Sequence, residues 1–423
     1  MLSDREKQIL KSCDQLFPDV VEFTKEMVKQ YAVVNQEQAV LNTVERHLEL
    51  LNLPVERVAM NSKSLSEHPL FAPVEWDYEN KYNLVSRINS HHENSGLIFN
   101  GHLDVVPATP FESWQQAPNH PWTDDQWLYG RGAGDMQSGV AAMIYAAHAI
   151  GHAGFEINCP LTIQAVVEEE CTGNGTLACL HQGYGGDFVL IPEPFGPTIY
   201  SSQIGVIWFK ISVVGKPVHV LDTASGMNAI ESLQSLIPHL KSLESRLNEE
   251  WKVPEYQHLE HPYNLNIGEF KGGNWASSVP SFAEMECRIG FPIGMTANQI
   301  MQLIQDSLDY AYKGDPHISI KPKLRFHGFR SEGHLVDTSN HGIKLLSQCH
   351  FDLTGAEPEK YVSTCTTDLR AFHFYSNSVG TCYGPVAENI HGVDERVNLE
   401  SIKQTLKTYA LFIDRWQNKQ ARS

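Results

Sequence analysis

Four short segments of the sequence bring histidine and carboxylate side chains together, and each follows a stretch with the pattern of a β-strand. They are GHLDVVP at 101–107, LYGRGAGDMQSG at 128–139, EEECTG at 168–173 and IPEPFG at 191–196. Ligand sites in open α/β sheets gather at the carboxyl ends of the strands. Imidazole and carboxylate ligands together suit Zn²⁺, Co²⁺ or Mn²⁺ better than a metal that prefers thiolates. The sequence therefore predicts that the four segments converge around a divalent metal site.

Each segment has a simpler interpretation when it is taken alone. An isolated histidine such as His102 is usually exposed or satisfied by a neighbour, Asp104 could cap a turn, and Glu193 between two prolines fits a turn. A run such as Glu168–Glu170 is usually a solvated charge cluster. This run, however, directly follows the apolar strand Leu161–Val167, where repelling carboxylates are unfavourable unless cations compensate them. The four segments together therefore favour the metal site.

Several common catalytic signatures are absent from the sequence. There is no G-x-x-x-x-G-K-[ST] phosphate loop, and the stretch GRGAG at 130–134 fails the G-x-G-x-x-G pattern because Gln137 stands where the third glycine belongs, counted from Gly132. There is also no G-x-S-x-G nucleophile elbow. We therefore expect neither a nucleotide-binding loop of these kinds nor a serine hydrolase of that type.

The segments that carry these loops alternate between strand and helix patterns. Predicted strands are Tyr82–Ile88, Gly96–Asn100, Leu161–Val167 and Asp187–Ile191, and predicted helices are Asp19–Tyr31, Glu37–Leu53, Gly139–Ile150, Gly175–Gln182 and Leu399–Trp416. Strands that alternate with helices favour a largely parallel sheet covered on both faces. We therefore predict an α/β catalytic domain with a mixed, mostly parallel sheet flanked by helices.

The pattern changes after about residue 203 and returns to its first style after about residue 321. Between these points lie predicted strands at Val206–Val214, Tyr263–Lys271, Ser281–Phe291 and His317–Pro322, and predicted helices at Asn228–Trp251 and Met295–Tyr312. This block has the elements of a small α+β sandwich and the size of an ordinary domain. We predict a catalytic, metal-binding domain formed by residues 1–203 and 322–423, interrupted by an inserted domain at 204–321.

Composition and charge exclude several classes of partner. The chain has 423 residues and a formal net charge of −18. So acidic a chain lacks the basic surface of a general nucleic-acid binder and is poorly suited to anionic lipid. No run approaches the roughly 20 apolar residues that span a bilayer, the charged N-terminus has no signal-peptide hydrophobic region, and the eight cysteines include no C-x-x-C pair. We expect a cytoplasmic protein with reduced thiols and with neither nucleic acid nor membrane as a partner.

The motifs and their order resemble the family of acetylornithine deacetylases and succinyl-diaminopimelate desuccinylases, which also includes aminoacylases and a carboxypeptidase. The resemblance covers nearly the whole chain. In chain order, the family's motifs are H-x-D, G-R-G-x-x-D-M, the paired glutamates, E-P, the lid G-K-x-x-H and the late histidine. They are found here as His102 and Asp104, Gly130–Met136, Glu169 and Glu170, Glu193 and Pro194, Gly215–His219, and His391.

The resemblance implies two divalent metal ions per chain, with zinc expected first and cobalt or manganese as alternatives. His102 and Glu193 would hold one ion. Glu170 and His391 would hold the other, and Asp135 would bridge the two. Such a pair of ions, roughly 3.5–4 Å apart, can activate a water and polarise a scissile carbonyl.

The resemblance also implies roles for residues beside the metals. Glu169 would be the general base that takes a proton from the attacking water and passes it to the leaving amine. Asp104 would accept a hydrogen bond from His102 and thereby fix the orientation of that ring. A cis peptide between Asp135 and Met136 would turn the bridging carboxylate between the two ions.

In this family the inserted domain serves as a lid and in dimerisation. The resemblance therefore implies a homodimer formed through residues 204–321. His219 would reach the metal site of a partner subunit and donate a hydrogen bond to the oxyanion. Arg288, in the segment MECRIG, would contact a substrate carboxylate, although a solvated arginine at a strand end is a simpler interpretation that stays open.

The function that the resemblance implies is hydrolysis of the amide bond in a small N-acyl amino acid or N-acyl amine. A dipeptidase or carboxypeptidase of the same family is the nearest alternative. A catalytically dead metal-binding homologue is disfavoured because Glu169 and all five ligand positions are present, and a structural zinc protein is disfavoured because no cysteine-rich ligand set exists. The sequence departs from the family pattern at Gln137, Val218, Ser277–Ser278 and Thr364–Thr367, where substrate or lid contacts would be made. The acyl group and the amine therefore stay open.

Overall fold

The strands that carry the predicted site lie in one six-stranded mixed sheet. The computed structural model describes residues 2–89, 96–376 and 378–420. Across the sheet, its strands are Glu56–Ala59, Tyr82–Ile88, Leu161–Val166, Leu97–His102, Phe188–Ile191 and Val379–Cys382. The last four run parallel to one another, whereas the second is antiparallel to both of its neighbours. The expected α/β fold with a mixed, mostly parallel sheet is confirmed.

The central strands are buried along their whole length because helices cover both faces of the sheet. Every residue of Leu161–Val166, Leu97–His102 and Phe188–Ile191 is buried, as expected of parallel strands. The helices of this domain are Asp4–Val28, Gln38–Leu50, Ser62–Leu65, Ser138–His152, Asn174–His181, His341–Thr354, Leu369–Ala371 and Leu399–Gln420. The first, fourth and last of these pack against one another, and they enclose one continuous apolar core with the sheet.

The first helix begins fifteen residues before the predicted start at Asp19. Ser3 accepts a hydrogen bond from the backbone N–H of Glu6, and the Glu6 side chain accepts one from the backbone N–H of Ser3. This reciprocal capping satisfies two backbone donors that the first turn would otherwise leave unpaired. The helix spans Asp4–Val28, and the prediction considered only the apolar residues in its second half.

The inserted domain is built on a four-stranded antiparallel sheet. In order across the sheet, its strands are Leu265–Gly272, Phe282–Phe291, Gly205–Val214 and Lys323–Ser331. The helices Ala229–Gln234, Ile237–Glu250 and Ala297–Gly314 pack on this sheet and enclose a second apolar core. Burial alternates along the two middle strands, so one face of the sheet meets the helices and the other does not. This is the expected α+β sandwich.

The edge strand Lys323–Ser331 of the inserted sheet contacts the catalytic domain. In this strand, the backbone N–H of Gly328 donates to the carbonyl oxygen of Pro73 at 3.0 Å, and Arg325 forms an ion pair with Glu75. Both partners belong to the loop that precedes the strand Tyr82–Ile88. Pro73 and Glu75 therefore tie the catalytic domain to the edge of the lid sheet.

Two predictions for the inserted domain were wrong in detail. The strand expected at His317–Pro322 does not form; Ile318 and Ile320 instead point into the lid core, and the fourth strand starts one residue after Pro322, which cannot donate a ladder hydrogen bond. The sheet therefore extends to Ser331, ten residues past the predicted boundary at 321. The single helix expected at Asn228–Trp251 is two helices with a break at residues 235–236.

Two small sheets complete the catalytic domain. One contains His334–Leu335, Ile199–Gln203 and Lys360–Ser363, and the other contains Ala387–Glu388, Arg396–Asn398, Trp127–Tyr129 and Trp122–Thr123. The second of these places the loop 389–395 beside the loop 130–137. In the part of the chain that the structure describes, no helix combines the length and apolar character needed to cross a membrane.

Candidate metal centre and active site

His102 is the last residue of the central strand Leu97–His102, and its ring orientation is set by the backbone that follows. Its Nδ1 lies 2.9 Å from the carbonyl oxygen of Asp104, an acceptor that requires a proton on Nδ1. The lone pair of Nε2 then faces Asp135 Oδ1 at 3.1 Å. Two acceptors at this distance are compatible only when a proton or a metal ion lies between them. This geometry fits a metal ligand.

Asp135 lies in a loop whose shape depends on a buried glutamate. Glu395 accepts hydrogen bonds from the backbone N–H groups of Gly132, Gly134 and Asp135 at 2.9–3.1 Å, and it pairs with the Arg131 guanidinium. Burial raises the pKa of the Glu395 carboxyl to about 7, although Arg131 opposes this effect. The expected cis peptide between Asp135 and the next residue is present.

The Asp135 carboxylate contacts histidines on both sides. Besides His102, it meets His391 Nε2 at 3.3 Å, and that same nitrogen lies 3.1 Å from Glu170 Oε1. The charge of Glu170, together with Asp135, raises the pKa of His391 to about 11. Burial would raise the pKa of Asp135, but the two histidines hold it well below its usual range. One oxygen or nitrogen from each of His102, Asp135 and Glu170 lies within 4.8 Å of the others.

Glu193 completes the set of five predicted ligands. It follows the strand Phe188–Ile191, and it is only 4% exposed. Burial and the neighbouring charge of Asp135 raise the pKa of its carboxyl well above the usual range. Several buried carboxylates around two imidazoles form a donor set that suits divalent cations, since such cations would offset their mutual repulsion.

Asp104 is positioned differently from the prediction. Its carboxylate lies 3.8 Å from His102 Nδ1, which is too far for a hydrogen bond. The backbone carbonyl oxygen of Asp104 accepts the hydrogen bond from His102 Nδ1 instead. The carboxylate instead accepts the backbone N–H groups of Glu169 and Glu170 at 3.2 and 3.1 Å. Burial raises the pKa of Asp104 to about 7. In this structure Asp104 holds the loop of the two glutamates against the His102 strand.

Glu169 lies beside the five ligand residues and is 7% exposed. Burial raises the pKa of its carboxyl well above the usual range, and the charges of Asp368 and Glu193 add to this effect. Its Oε1 has no hydrogen-bond partner among the described residues, and Arg370 Nη1 lies 4.0 Å away. A buried carboxylate with a raised pKa and an unoccupied oxygen is suited to accept a proton.

Comparisons with known proteins identify the family of the chain. Residues 98–415 match the model of Peptidase family M20/M25/M40. The chain belongs to this family. Together with relatives named as deacylases, this membership makes the protein a metal-dependent hydrolase that acts on amide bonds.

Two curated relatives show the kind of enzyme that the chain is similar to. An N-formyl-4-amino-5-aminomethyl-2-methylpyrimidine deformylase from Bacillus subtilis (strain 168) is 27% identical over 371 residues, which cover 82% of this chain and 86% of that protein. A succinyl-diaminopimelate desuccinylase from Phenylobacterium zucineum (strain HLK1) is 28% identical over 409 residues, which cover 94% and 98%.

Solved M20-type structures share the fold at lower identity. The di-peptidase Dug1p from Saccharomyces cerevisiae superposes with a TM-score of 0.82 at 15% identity, covering 98% of each chain. Human carnosine dipeptidase 1 superposes with a TM-score of 0.78 at 16% identity, covering 98% of this chain and 99% of that one. At such identities the likeness establishes the fold alone.

The two predicted lid residues lie apart from the metal ligands of their own chain. His219 is exposed on a loop after the strand Gly205–Val214, and its Nδ1 accepts the backbone N–H of Leu221 at 3.2 Å. Arg288 donates to the carbonyl oxygens of Thr364 and Asn264 at 3.2 and 3.3 Å. Arg288 also lines a cavity of about 370 Å³ on the helix-free face of the lid sheet.

The first glutamate of the run 168–170 is an anchor that the sequence analysis did not single out. Glu168 is fully buried in a left-handed backbone conformation, with φ of 67°. Its carboxylate accepts hydrogen bonds from four side chains: Trp76, Tyr78, Lys81 and Thr172. These contacts fix Glu168, which directly precedes Glu169 in the chain. They also explain why a run of charged residues follows an apolar strand. Glu395, Asp368 and Arg370 were missed for a similar reason, since their partners are distant in sequence.

We predict that Glu395→Gln weakens metal binding by about 10- to 100-fold, because an amide cannot both accept the three N–H groups and pair with Arg131. The measurement is competition with a chromophoric chelator at constant pH. Glu388→Gln is the matched control, since Glu388 pairs with Arg396 on the exposed side of the same small sheet. Equal affinities for the two variants would contradict the prediction.

Proposed function

We propose that this M20 hydrolase uses two divalent cations to remove the acyl group from a small N-acyl amino acid or N-acyl amine. The observation that carries the proposal is the cluster of five ligand-type residues, all nearly buried except His391, with the unpartnered Glu169 Oε1 beside it. Deacylation is favoured over dipeptide cleavage because the two relatives described above, which are 27% and 28% identical over the aligned residues, are named as a deformylase and a desuccinylase. A dipeptidase or carboxypeptidase is the second candidate, favoured by the fold of the dipeptidases.

His102, Asp135 and Glu193 would hold one cation, and Asp135, Glu170 and His391 would hold the other. The short distances from Asp135 to the two histidines support a bridging role for its carboxylate. Imidazole and carboxylate ligands suit zinc, and they also accept cobalt or manganese. When bound, the ions would supply Lewis-acid activation of the substrate carbonyl and of a water molecule.

Glu169 would act as the general base and then as the general acid. It would take one proton from the attacking water and deliver it to the nitrogen of the leaving amine. Burial favours this exchange, because a carboxyl with a raised pKa accepts a proton more readily near neutral pH. Asp104 would support the reaction by fixing the backbone of Glu169 and Glu170 rather than by orienting His102.

Arg288 would bind a carboxylate of the substrate. Burial lowers the pKa of its guanidinium, and in the described part of the chain no carboxylate lies within 4 Å of it, so the charge is available for an anionic ligand. It donates to the carbonyl oxygen of Thr364 in a neighbouring loop. Burial raises the pKa of the Cys365 thiol in that loop, the charge of Glu193 adds to this effect, and the charge of Arg288 opposes it. This loop therefore connects the arginine with the metal side of the cleft.

The lid supports the proposal of a homodimer. Several large apolar side chains of this domain are exposed: Val214, Leu221, Phe270, Trp275 and Phe282. Val214 and Phe282 are directly paired across neighbouring strands, and the strand Leu265–Gly272 forms one edge of the sheet. Exposed apolar groups at a sheet edge are typical of an interaction surface. We also place the enzyme in the cytoplasm, which its eight unpaired cysteines support.

Metal stoichiometry gives the first of three predictions that test this function. The purified chain, reconstituted with Zn²⁺ or Co²⁺, should bind two ions, and the Glu170→Ala/His391→Ala double variant should bind about one, because one ligand pair is removed. Elemental analysis after gel filtration measures both values. Saturation of the wild-type chain at one ion, or an unchanged double variant, would show that the ligand assignment is wrong.

The second prediction tests the reaction itself. A panel of N-formyl, N-acetyl and N-succinyl amino acids and amines, set against dipeptides, should identify an acyl substrate. On that substrate, Glu169→Gln should lower kcat by about 10²- to 10⁴-fold and keep both metals, because proton transfer is lost while the ligands remain. Glu170→Gln is the contrasting variant and should lose metal. Preference for dipeptides would favour the second candidate function.

The third prediction concerns His219. Because its Nδ1 accepts a hydrogen bond, its Nε2 carries the proton and can donate to an oxyanion in a partner subunit. His219→Ala should lower kcat by about 10²- to 10³-fold. Mixing His219→Ala chains with Glu169→Ala chains should restore activity, since each mixed dimer has one complete site.

The matched control for this mixture is His258→Ala, which alters another exposed lid histidine and should be active on its own. No recovery despite proven subunit exchange, or full activity of a monomer in sedimentation, would refute the shared site.

A further inference from the structure

Arg370 lies between two buried carboxylates and forms a hydrogen bond with neither. Its Nη1 is 4.0 Å from Glu169 Oε1, and its Nη2 is 3.8 Å from Asp368 Oδ1. Among the described residues, both of these oxygens lack a hydrogen-bond partner. The Arg370 and Glu169 side chains are each 9% exposed and that of Asp368 is 1% exposed. A single guanidinium therefore provides the positive charge for two nearly buried carboxylates.

Contacts on three sides hold this guanidinium in place. Nη2 donates to the carbonyl oxygen of Thr172 at 2.9 Å, and Nη1 donates to that of Thr367 at 3.0 Å. The Phe329 ring of the lid sheet packs against the guanidinium, with 4.7 Å between its centroid and Cζ. A Cβ at Gly173 would lie 2.1 Å from Nη2. The absence of a side chain at Gly173 leaves room for the guanidinium where the loop after Glu170 turns. The backbone therefore sets the distance between the guanidinium and Glu169.

We propose that Arg370 is a positioning residue that keeps the Glu169 carboxylate in its reactive orientation without occupying the oxygen that receives the proton. The proposal rests on the role of Glu169 as the base. A direct, bidentate ion pair would engage the lone pairs of the carboxylate. A fixed cation about 4 Å away still attracts the carboxylate through the poorly solvated interior and leaves those lone pairs open.

The surroundings of Arg370 distinguish this role from substrate binding. Arg370 also lines a cavity of about 350 Å³, whose wall includes Thr172, Leu177, Arg330 and Phe374. None of the five ligand residues lines this cavity, and neither does Glu169. Arg330 reaches the same cavity but donates to Asn298 Oδ1 at 2.9 Å. Arg330 therefore offers a control with the same chemistry and the same cavity, without the contact to Glu169.

The test compares Arg370→Met, Arg370→Lys and Arg330→Met on the acyl substrate found with the wild-type holoenzyme. Arg370→Met should lower kcat by about 10- to 100-fold, since a misplaced catalytic group costs rates of this order. Its KM should change by less than about threefold, and two metals should remain bound. Arg370→Lys should recover part of kcat because it keeps a charge, and Arg330→Met should behave as the wild type.

Coupling to Glu169 is the decisive measurement. In the Glu169→Gln background, Arg370→Met should lower the residual kcat by less than about twofold, because its effect passes through a group that is already disabled. If Arg370→Met does not fold, kcat of Arg370→Lys is compared with and without Glu169→Gln instead. Arg370→Lys should still lower kcat, because one ammonium group cannot make both hydrogen bonds to the carbonyl oxygens.

Three results would overturn the proposal. The first is that the reductions in kcat caused by Arg370→Met and by Glu169→Gln multiply in the double variant. The others are a change confined to KM, or loss of metal in both Arg370→Met and Arg370→Lys. Failure of the proposed function has a different signature. In that case Glu169→Gln itself would retain near-normal activity with both metals bound, whatever the Arg370 variants do.

Discussion

An excess of buried negative charge at the carboxyl edge of the large sheet is the constraint on which the rest of the site depends. Burying a carboxylate without compensation costs several kcal/mol, and this edge gathers six of them: Asp104, Asp135, Glu169, Glu170, Glu193 and Asp368. The chain compensates five of them in three ways. Backbone N–H groups serve Asp104, histidines serve Asp135 and Glu170, and Arg370 serves Glu169 and Asp368. Divalent cations, which this family binds, would compensate the charge that remains.

The family likeness explains the architecture, whereas the substrate must be chosen by residues in which this chain departs from its relatives. The loop Thr364–Thr367 is one of these departures, and the structure gives it two neighbours. The carbonyl oxygen of Thr364 accepts Arg288 from the lid, and that of Thr367 accepts Arg370 beside the base. One short loop therefore links the proposed carboxylate-binding arginine with the residue that faces Glu169.

The predictions from sequence succeeded where the signal was local. Apolar runs marked the buried strands, and the loops predicted to converge place ligand atoms of His102, Asp135 and Glu170 within 4.8 Å of one another. Residues whose role depends on distant partners carried no such signal. Glu395 binds a loop some 260 positions earlier in the chain. Glu168 looks like part of a charge run in the sequence, because its partners Trp76 and Lys81 lie about 90 positions before it. The strand expected at 317–322 was wrong because Pro322 lacks the donor that a ladder needs.

The loop between residues 71 and 81 is held at both ends by different parts of the molecule. Pro73 and Glu75 bind the lid sheet, and three of the next six side chains, those of Trp76, Tyr78 and Lys81, donate to Glu168. A single peptide bond separates the last lid contact from the first Glu168 contact, and one extended residue spans only about 3.3–3.6 Å. The loop can therefore extend very little between its two sets of contacts. A lid movement larger than this length must either break the contacts of Pro73 and Glu75 or pull on the residue that precedes the base.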